Sequence, residues 1–92
     1  MDLTSKRRAE LKARAHDLDP VAYIGKFGVT PETLVHIDKN LTDHELIKVK
    51  FIGFKETRRE LSSEIAGATG ATLIDVIGNV AIFYRANPEV SG

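Results

Sequence analysis

One short segment of this sequence combines residues suited to holding an anion. It is Gly25-Lys26-Phe27-Gly28, here called the glycine loop, and it lies between an apolar run and a clear helix start. Two glycines let a backbone approach a ligand closely, and the N-terminus of the next helix offers unpaired N–H groups to negative charge. Lys26 adds a mobile positive charge. This combination is typical of the GxxG loop with which KH domains grip the backbone of single-stranded nucleic acid. Alone, the pattern is weak, because an ordinary strand-to-helix turn can use the same residues.

Phe27 has two possible roles inside this loop. An aromatic side chain there can stack on a base or fold back into the core. Val29 is already placed to make the hydrophobic staple with Leu34 that fixes the entry of the chain into the next helix. The sequence slightly favours packing in the core.

The patterns that catalysis requires are missing. The chain has no cysteine, and His16, His36 and His44 do not have the spacing of a zinc site. The serines lack a nucleophile-elbow sequence, and the glycine loop has neither the G-x-x-x-x-G-K-[ST] nor the G-x-G-x-x-G form of a nucleotide site. We therefore expect no enzyme activity, no metal, no cofactor and no small-molecule substrate, and we interpret His36 and His44 as surface histidines.

Positive charge is predicted to collect on one face of a chain that is neutral overall, with 13 basic and 13 acidic residues. At about 100° per residue, Arg8, Lys12 and His16 form an unpaired row along the first helix, while Glu10 can pair with Lys6 or Arg14 on another side. Such a row would attract a polyanion through counterion release. An ordinary solvated helix is the alternative interpretation.

Further basic residues could extend this face. Lys48 and Lys50 share one side of a predicted strand, where they either join the basic face or only solubilise the sheet. Arg58 and Arg59 could do likewise or pair with Glu56 and Glu60, which with Glu64 form an acidic row on the third predicted helix.

The elements that position these residues follow from periodicity and capping signals. A helix is predicted over residues 4–16, with Thr4 or Ser5 as N-cap and Leu11, Ala15 and Leu18 inward. A buried strand follows over residues 21–24. The second helix has Thr30 as its N-cap and Pro31 in its first turn, with a buried stripe of Leu34, Ile37 and Leu41.

The second half of the chain is predicted as strand, helix and hairpin. Residues 44–51 alternate, with Ile47, Val49 and Phe51 on the buried face. Residues 55–69 form the third helix, with Leu61, Ile65 and Ala68 inward and Gly70 as its left-handed end. Two antiparallel strands then flank a tight turn at Gly78-Asn79.

These elements predict a single α/β domain over residues 1–92, in the order α-β-α-β-α-β-β. We expect a compact two-layer domain with a mixed four-stranded sheet packed by helices. Its core would span residues 3–86, with a flexible tail over 87–92. The apolar runs are too short to span a bilayer, and no secretory signal is visible, so we expect a cytoplasmic protein without membrane contacts.

With these residues in hand, the chain resembles the CRM (chloroplast RNA splicing and ribosome maturation) domain in its stand-alone, YhbY-like bacterial form. The resemblance covers about residues 3–85. It is carried by the basic first helix, Asp19-Pro20-Val21, the glycine loop, Val29-Thr30, the segment from His44 to Phe51, and the closing Val76-Ile77-Gly78 to Phe83-Tyr84-Arg85.

The resemblance implies a fold like the C-terminal domain of translation initiation factor three and RNA binding without catalysis. It also implies association with ribosomal RNA in precursors of the large ribosomal subunit, whose assembly the protein would assist. We separately expect a monomer. The expected RNA contacts are the loop residues Gly25, Lys26, Phe27 and Gly28, the helix residues Lys6, Arg7, Arg8, Lys12 and His16, and Lys48 and Lys50. The sequence departs from the family pattern in having Phe27 beside Lys26 and no basic C-terminal extension.

Two other classes of function remain open at this point. One is a protein-interaction adaptor that docks a ribosomal protein or assembly factor through the acidic row or the sheet face. The other is a regulator that binds a small phosphate ligand at the glycine loop.

Overall fold

The computed structural model describes residues 3–91. In chain order, the elements are α1 (Ser5–Ala15), β1 (Ala22–Ile24), α2 (Pro31–His44), β2 (Leu46–Phe51), α3 (Arg58–Thr69), β3 (Thr72–Ile77), β4 (Val80–Tyr84) and α4 (Pro88–Ser91). The predicted order is confirmed, with one additional helical turn at the C-terminal side.

The sheet is mixed, with strand order β1-β2-β4-β3. β1 and β2 are parallel and are joined by α2, whereas β4 is antiparallel to both of its neighbours. The predicted hairpin is confirmed, since Ile77 pairs with Val80 across Gly78-Asn79. The glycine loop, the loop over residues 52–54 and this hairpin turn therefore meet at one end of the sheet, here called the loop end.

Helices cover both faces of this sheet. On one face, Ile37 and Leu41 of α2 and Ile65 of α3 pack in one cluster with inward residues of the strands such as Phe51 and Phe83. These strand residues alternate with side chains that point to the other face. The mixed four-stranded sheet and its three main helices agree with the expected fold class.

The second face carries its own apolar cluster under α1. Leu11 and Ala15 of α1 are fully buried there against Leu46, Ile74 and Ile82. The expectation of two layers is therefore wrong: the domain has three, because β2, β3 and β4 carry apolar residues on both faces. Leu18, predicted to lie inward, is 39% exposed beyond the end of α1.

The predicted helix ends are largely confirmed. The hydroxyl of Thr4 accepts from the N–H of Arg7 at 3.0 Å, and that of Thr30 accepts from Thr33 at 3.2 Å. Pro31 occupies the start of α2, and Gly70 ends α3 with φ 73°. Each cap satisfies backbone groups that the helix itself leaves unpaired.

Two boundaries and one inward residue differ from the predictions. α2 continues through His44 and Glu45 then has φ 62°, so β2 begins at Leu46 and not at His44. A turn over residues 55–57 delays α3 to Arg58. Ala68 is exposed, because Thr69 takes the buried position and donates its hydroxyl to the carbonyl oxygen of Ile65 at 2.8 Å.

The C-terminal segment is tied to the end of α2. The N–H of Asn87 donates to Glu45 Oε2 at 2.6 Å, and its side-chain amide donates to the carbonyl oxygen of Thr42 at 2.7 Å. Gly92 lies outside the described residues, and the flexibility of residues 87–92 stays a prediction. The likeness of the fold to the C-terminal domain of translation initiation factor three also stays a prediction. Within residues 3–91 no helix is long and apolar enough to cross a membrane.

Candidate nucleic-acid interface

The glycine loop forms a tight turn that projects from the loop end. The N–H of Gly28 donates to the carbonyl oxygen of Gly25 at 2.9 Å, and Gly28 has φ 67°, in the left-handed region that favours glycine. Lys26 and Phe27 are exposed at its tip. Across residues 3–91, no protein acceptor receives the N–H of Lys26 or Phe27. The turn therefore has two unpaired backbone donors and one cation at its tip.

Phe27 is not part of the core, contrary to the interpretation that the sequence favoured. Its side chain is 80% exposed, and Lys26 Nζ lies 5.1 Å from the centroid of its ring. The space beneath the loop is taken by Val29 and Phe54, which pack against the main core cluster. An aromatic face is thus available next to the loop cation.

The N-terminus of α2 offers less to an anion than expected. Pro31 has no N–H, and the N–H of Thr33 is already bound to the hydroxyl of Thr30. Glu32 adds a negative charge in the first turn. The groups that attract an anion are therefore the N–H groups of Lys26 and Phe27 and the Lys26 ammonium. The N-terminus of α2 adds a smaller attraction.

The predicted unpaired row on α1 is wrong for two of its three members. Arg8 donates from Nη1 to the carbonyl oxygens of Leu73 and Ile74, both at 3.0 Å. Lys12 Nζ lies 2.9 Å from Asp75 Oδ2. The row lies beside the buried stripe of α1, so it borders β3 and its side chains satisfy polar groups of that strand.

Asp75 is strongly engaged in this contact. The hydrogen bond from Lys12 holds the pKa of the Asp75 carboxyl below its usual range. The N–H of Val76 and the guanidinium of Arg59 lower this pKa further, whereas partial burial of the carboxyl raises it. Asp75 Oδ1 accepts the N–H of Val76 at 2.8 Å and lies 3.5 Å from Arg59 Nη2. Arg59 therefore pairs with Asp75 and not with the acidic row.

Lys48 and Lys50 differ in what they do. Lys48 donates from Nζ to the carbonyl oxygens of His16 and Leu18, at 3.1 and 3.0 Å, and so closes the C-terminal end of α1. Lys50 is half-buried near the loop end, and within residues 3–91 no acidic group forms an ion pair with it. His16 is exposed beside Lys48.

Lys6 and Arg7 lie far from the glycine loop. The guanidinium of Arg7 lies 5.5 Å from the ring centroid of Tyr84 and 3.5 Å from Glu10, which was expected to pair with Lys6 or Arg14. Tyr84 is the last residue of β4 and Val80 is the first, so at the usual rise per residue the two lie about 13 Å apart. The structure therefore separates the predicted contacts into a group at the loop end and a group at the opposite end.

Two residues at the loop end have roles that the sequence did not indicate: Tyr23, and Arg58, which was expected to extend the basic face or to pair with Glu56 and Glu60. Arg58 donates to the carbonyl oxygens of Gly53 and Gly78, at 3.0 and 3.2 Å, and so joins the 52–54 loop to the hairpin turn. Tyr23 is 57% exposed in β1, which had been interpreted as a buried strand. The alternation of β1 gives the signal for Tyr23, since its neighbours Ala22 and Ile24 both face the core.

The chain belongs to the CRS1/YhbY (CRM) domain family, whose model matches residues 3–85. This match spans every element that positions the glycine loop, from α1 to the end of β4.

Three relatives illustrate the family. A "Probable RNA-binding protein" of Pseudomonas aeruginosa is 36% identical over 90 residues, covering 97% of this chain and 86% of its own. An "RNA-binding protein" of Haemophilus influenzae is 38% identical over 88 residues, covering 95% and 89%. The solution structure of a hypothetical Staphylococcus aureus protein, described as an RNA-binding candidate, is 35% identical with a TM-score of 0.81 and covers 94% of this chain and 91% of its own. Membership of a family with RNA-binding relatives and a shared fold supports RNA as the partner.

Proposed function

We propose that this protein binds ribosomal RNA in precursors of the large ribosomal subunit and assists their assembly without catalysing a reaction. The observation that carries the proposal is the tip of the glycine loop, where the N–H groups of Lys26 and Phe27 and the Lys26 ammonium are all free to meet phosphate. Backbone donors together with a cation are suited to a phosphate oxygen. The names of the relatives support RNA as the ligand.

The proposed contacts carry different weights. Direct contacts come from the loop end, where Lys26 and Phe27 are exposed and Lys50 lies on the neighbouring sheet face. Gly25 and Gly28 shape the turn, Lys48 adds charge at the end of α1, and His16 is exposed beside it. Lys6 and Arg7 form a second, more distant group that a longer RNA would reach. Arg8 and Lys12 act mainly through the fold, because both are held by β3.

The choice of ribosomal RNA and of the precursor subunit follows from the family resemblance. A zero net charge agrees with a protein that uses a local basic surface and not a uniformly basic one. We further propose that the protein acts as a monomer in the cytoplasm.

Binding to large-subunit RNA fragments, followed by fluorescence anisotropy over a range of salt, tests the proposal. Lys26→Glu should weaken binding and flatten the salt dependence of log K by about one unit, since one phosphate contact is lost. Lys39→Glu is the matched control, because Lys39 is 74% exposed on α2 and forms only a surface pair with Asp43. Equal behaviour of the two variants would contradict the proposed clamp.

Sedimentation of cell extracts separates the ribosomal part of the proposal from RNA binding alone. The protein should travel with precursors of the large subunit, and the Lys26→Glu variant should stay near the top of the gradient. A wild-type protein that binds RNA fragments but never travels with these particles would contradict the role in assembly.

The adaptor alternative has one observation in its favour. The acidic row of Glu56, Glu60 and Glu64 is exposed, and no described basic side chain forms an ion pair with it. Such a row could meet a basic ribosomal protein. Capture of a partner that survives ribonuclease and is lost on charge reversal of these three residues would favour the adaptor.

A further inference from the structure

The sheet face beside the glycine loop carries an unusual row of side chains. The register pairs Tyr23 with Lys50, Lys50 with Val80, and Val80 with Ile77, so one residue comes from each of the four strands. Their strand neighbours Ile24, Phe51, Ala81 and Val76 belong to or pack against the opposite core. All four residues of the row therefore point to the face that α1 covers.

α1 leaves this row open. Its buried residues Leu11 and Ala15 cover Leu46, Ile74 and Ile82, which lie further from the loop end. Tyr23 and Ile77, at the two ends of the row, are 57% and 54% exposed. At the usual spacing between strands the row is about 14 Å wide. An open sheet face that carries Tyr, Val and Ile in place of polar residues indicates a surface that contacts a ligand.

Basic residues lie in the middle of the row, whereas its two ends have acidic neighbours: Glu32 lines a groove with Tyr23, and Asp75, paired with Lys12, shares the sheet face with Ile77. Lys50 lies within the row, and Lys48 and His16 border a groove that Val80 and Ile77 also line. This groove holds about 190 Å³, which is below the roughly 300–1,000 Å³ of sites for drug-sized ligands. The ammonium of Lys48 at its edge disfavours a basic protein segment.

The row is continuous with the proposed phosphate contact. Tyr23 precedes Gly25 by two residues, so an RNA strand held by a phosphate at Lys26 can extend to the Tyr23 ring. Resting on the RNA-binding function proposed above, we propose that this row, the Tyr23–Ile77 platform, stacks unpaired bases of a single-stranded RNA segment. Tyr23 supplies the stacking ring, and Lys50 holds the phosphate between stacked bases.

The platform makes the protein selective for unpaired RNA. Stacking uses the face of a base, which a duplex keeps covered by neighbouring base pairs, and it is tolerant of sequence. The glycine loop alone would accept the phosphates of either form. The sheet face therefore supplies preference for single strands, while the loop supplies the salt-dependent part of the affinity.

The test compares an unstructured RNA decamer, a duplex containing the same sequence and a decamer with abasic sites at its central positions. Tyr23→Ala should weaken binding of the decamer roughly tenfold and leave the duplex and the salt dependence unchanged, whereas Tyr23→Phe should bind as the wild type does. Val35→Ala is the matched control, since Val35 is 70% exposed on α2. The abasic strand should bind wild type and Tyr23→Ala equally.

Intrinsic fluorescence gives a direct readout of stacking. The chain has no tryptophan and two tyrosines, Tyr23 and Tyr84. In a Tyr84→Phe background the emission comes from Tyr23 alone, and the decamer should quench it while the abasic strand should not.

The outcomes separate the two proposals. If Tyr23→Ala binds the decamer as tightly as the wild type, or if the abasic strand binds wild type as well as the decamer does, the platform is overturned and the clamp at the glycine loop stands. If the wild type binds none of the three RNAs, the proposed function falls with it. Binding of a protein to this face that competes with no RNA would also overturn the platform.

Discussion

Lys12 Nζ and Asp75 Oδ2 lie 2.9 Å apart, which joins the middle of α1 to β3. Asp75 follows an irregularity in the β3–β4 register, between Leu73 and Asp75, and Arg8 donates to the carbonyl oxygens exposed there. Two basic residues of α1 thus hold the helix on the sheet. A charged row on a helix has a structural role when it borders the buried stripe.

The Lys12–Asp75 pair should make the free energy of unfolding depend on pH in the acidic range. The pKa of Asp75 is lowered in the folded protein, so the ionised carboxylate stabilises the fold at any pH above the ordinary aspartate pKa. This stabilisation is lost as the pH falls below about 4 and passes through the lowered pKa. Asp75→Asn should reduce the free energy of unfolding at pH 7 by about 1 kcal/mol, as for a partly exposed pair. Urea unfolding at pH 7 and pH 3 checks this, since the difference in stability between the variant and the wild type should be smaller at the lower pH.

Arg8 and Lys50 should separate folding from binding. Arg8→Ala removes two hydrogen bonds to backbone carbonyls and should lower the free energy of unfolding by about 1–2 kcal/mol. Lys50→Ala should leave stability unchanged and weaken RNA binding, because Lys50 has no ion-pair partner among residues 3–91. Thermal melts and binding isotherms of both variants give the comparison. Equal losses of stability would be inconsistent with these roles.

The two glycines of the glycine loop should respond differently to alanine. Gly28 has φ 67°, so Gly28→Ala should cost about 1 kcal/mol of stability. A Cβ on Gly25 meets no atom within 4 Å and its φ is not positive, so Gly25→Ala should keep the wild-type melting temperature. It should still weaken RNA binding, because the added methyl group occupies the space a phosphate needs. A Gly25→Ala protein with unchanged affinity would show that the backbone there does not contact RNA.

Arg58 should keep the loops of the loop end in place. Arg58→Ala removes the hydrogen bonds to Gly53 and Gly78 and should lower stability by about 1 kcal/mol, with faster amide exchange in both turns. Arg58→Lys should not restore the protection, because an ammonium lacks the fork that reaches both carbonyls. Arg59→Ala is the control, since Arg59 is 68% exposed and 3.5 Å from its partner. If Arg58→Ala leaves amide exchange in both turns unchanged, this role of Arg58 is contradicted.

The sequence predicts the fold well where local signals decide it. Thr30, Pro31 and Gly70 mark helix ends through backbone requirements that do not depend on the rest of the molecule, and Gly78-Asn79 marks the hairpin in the same way. The number of layers was missed. It depends on which strands lie side by side, and the periodicity of one strand does not contain that information.

The candidate site shows the same division. The exposure of Lys26 on a turn follows from the GxxG pattern, but the partners of Arg8 and Lys12 come from β3, more than sixty positions along the chain. Phe27 could not be placed from the sequence, because Phe54 fills the space beneath it. The alternation of β1 indicates that Tyr23 faces away from the core, but its position beside Lys50 comes from the register.

An amide NMR titration with a large-subunit RNA fragment, at moderate and then at higher salt, tests the central claim most directly. The account predicts shifts centred on Gly25 to Thr30, on Tyr23 and on Lys50, with the loop shifts fading as salt rises. Resonances of the acidic row at Glu56, Glu60 and Glu64 should stay in place. Shifts confined to that row, or no shifts at the glycine loop at either salt, would contradict the account.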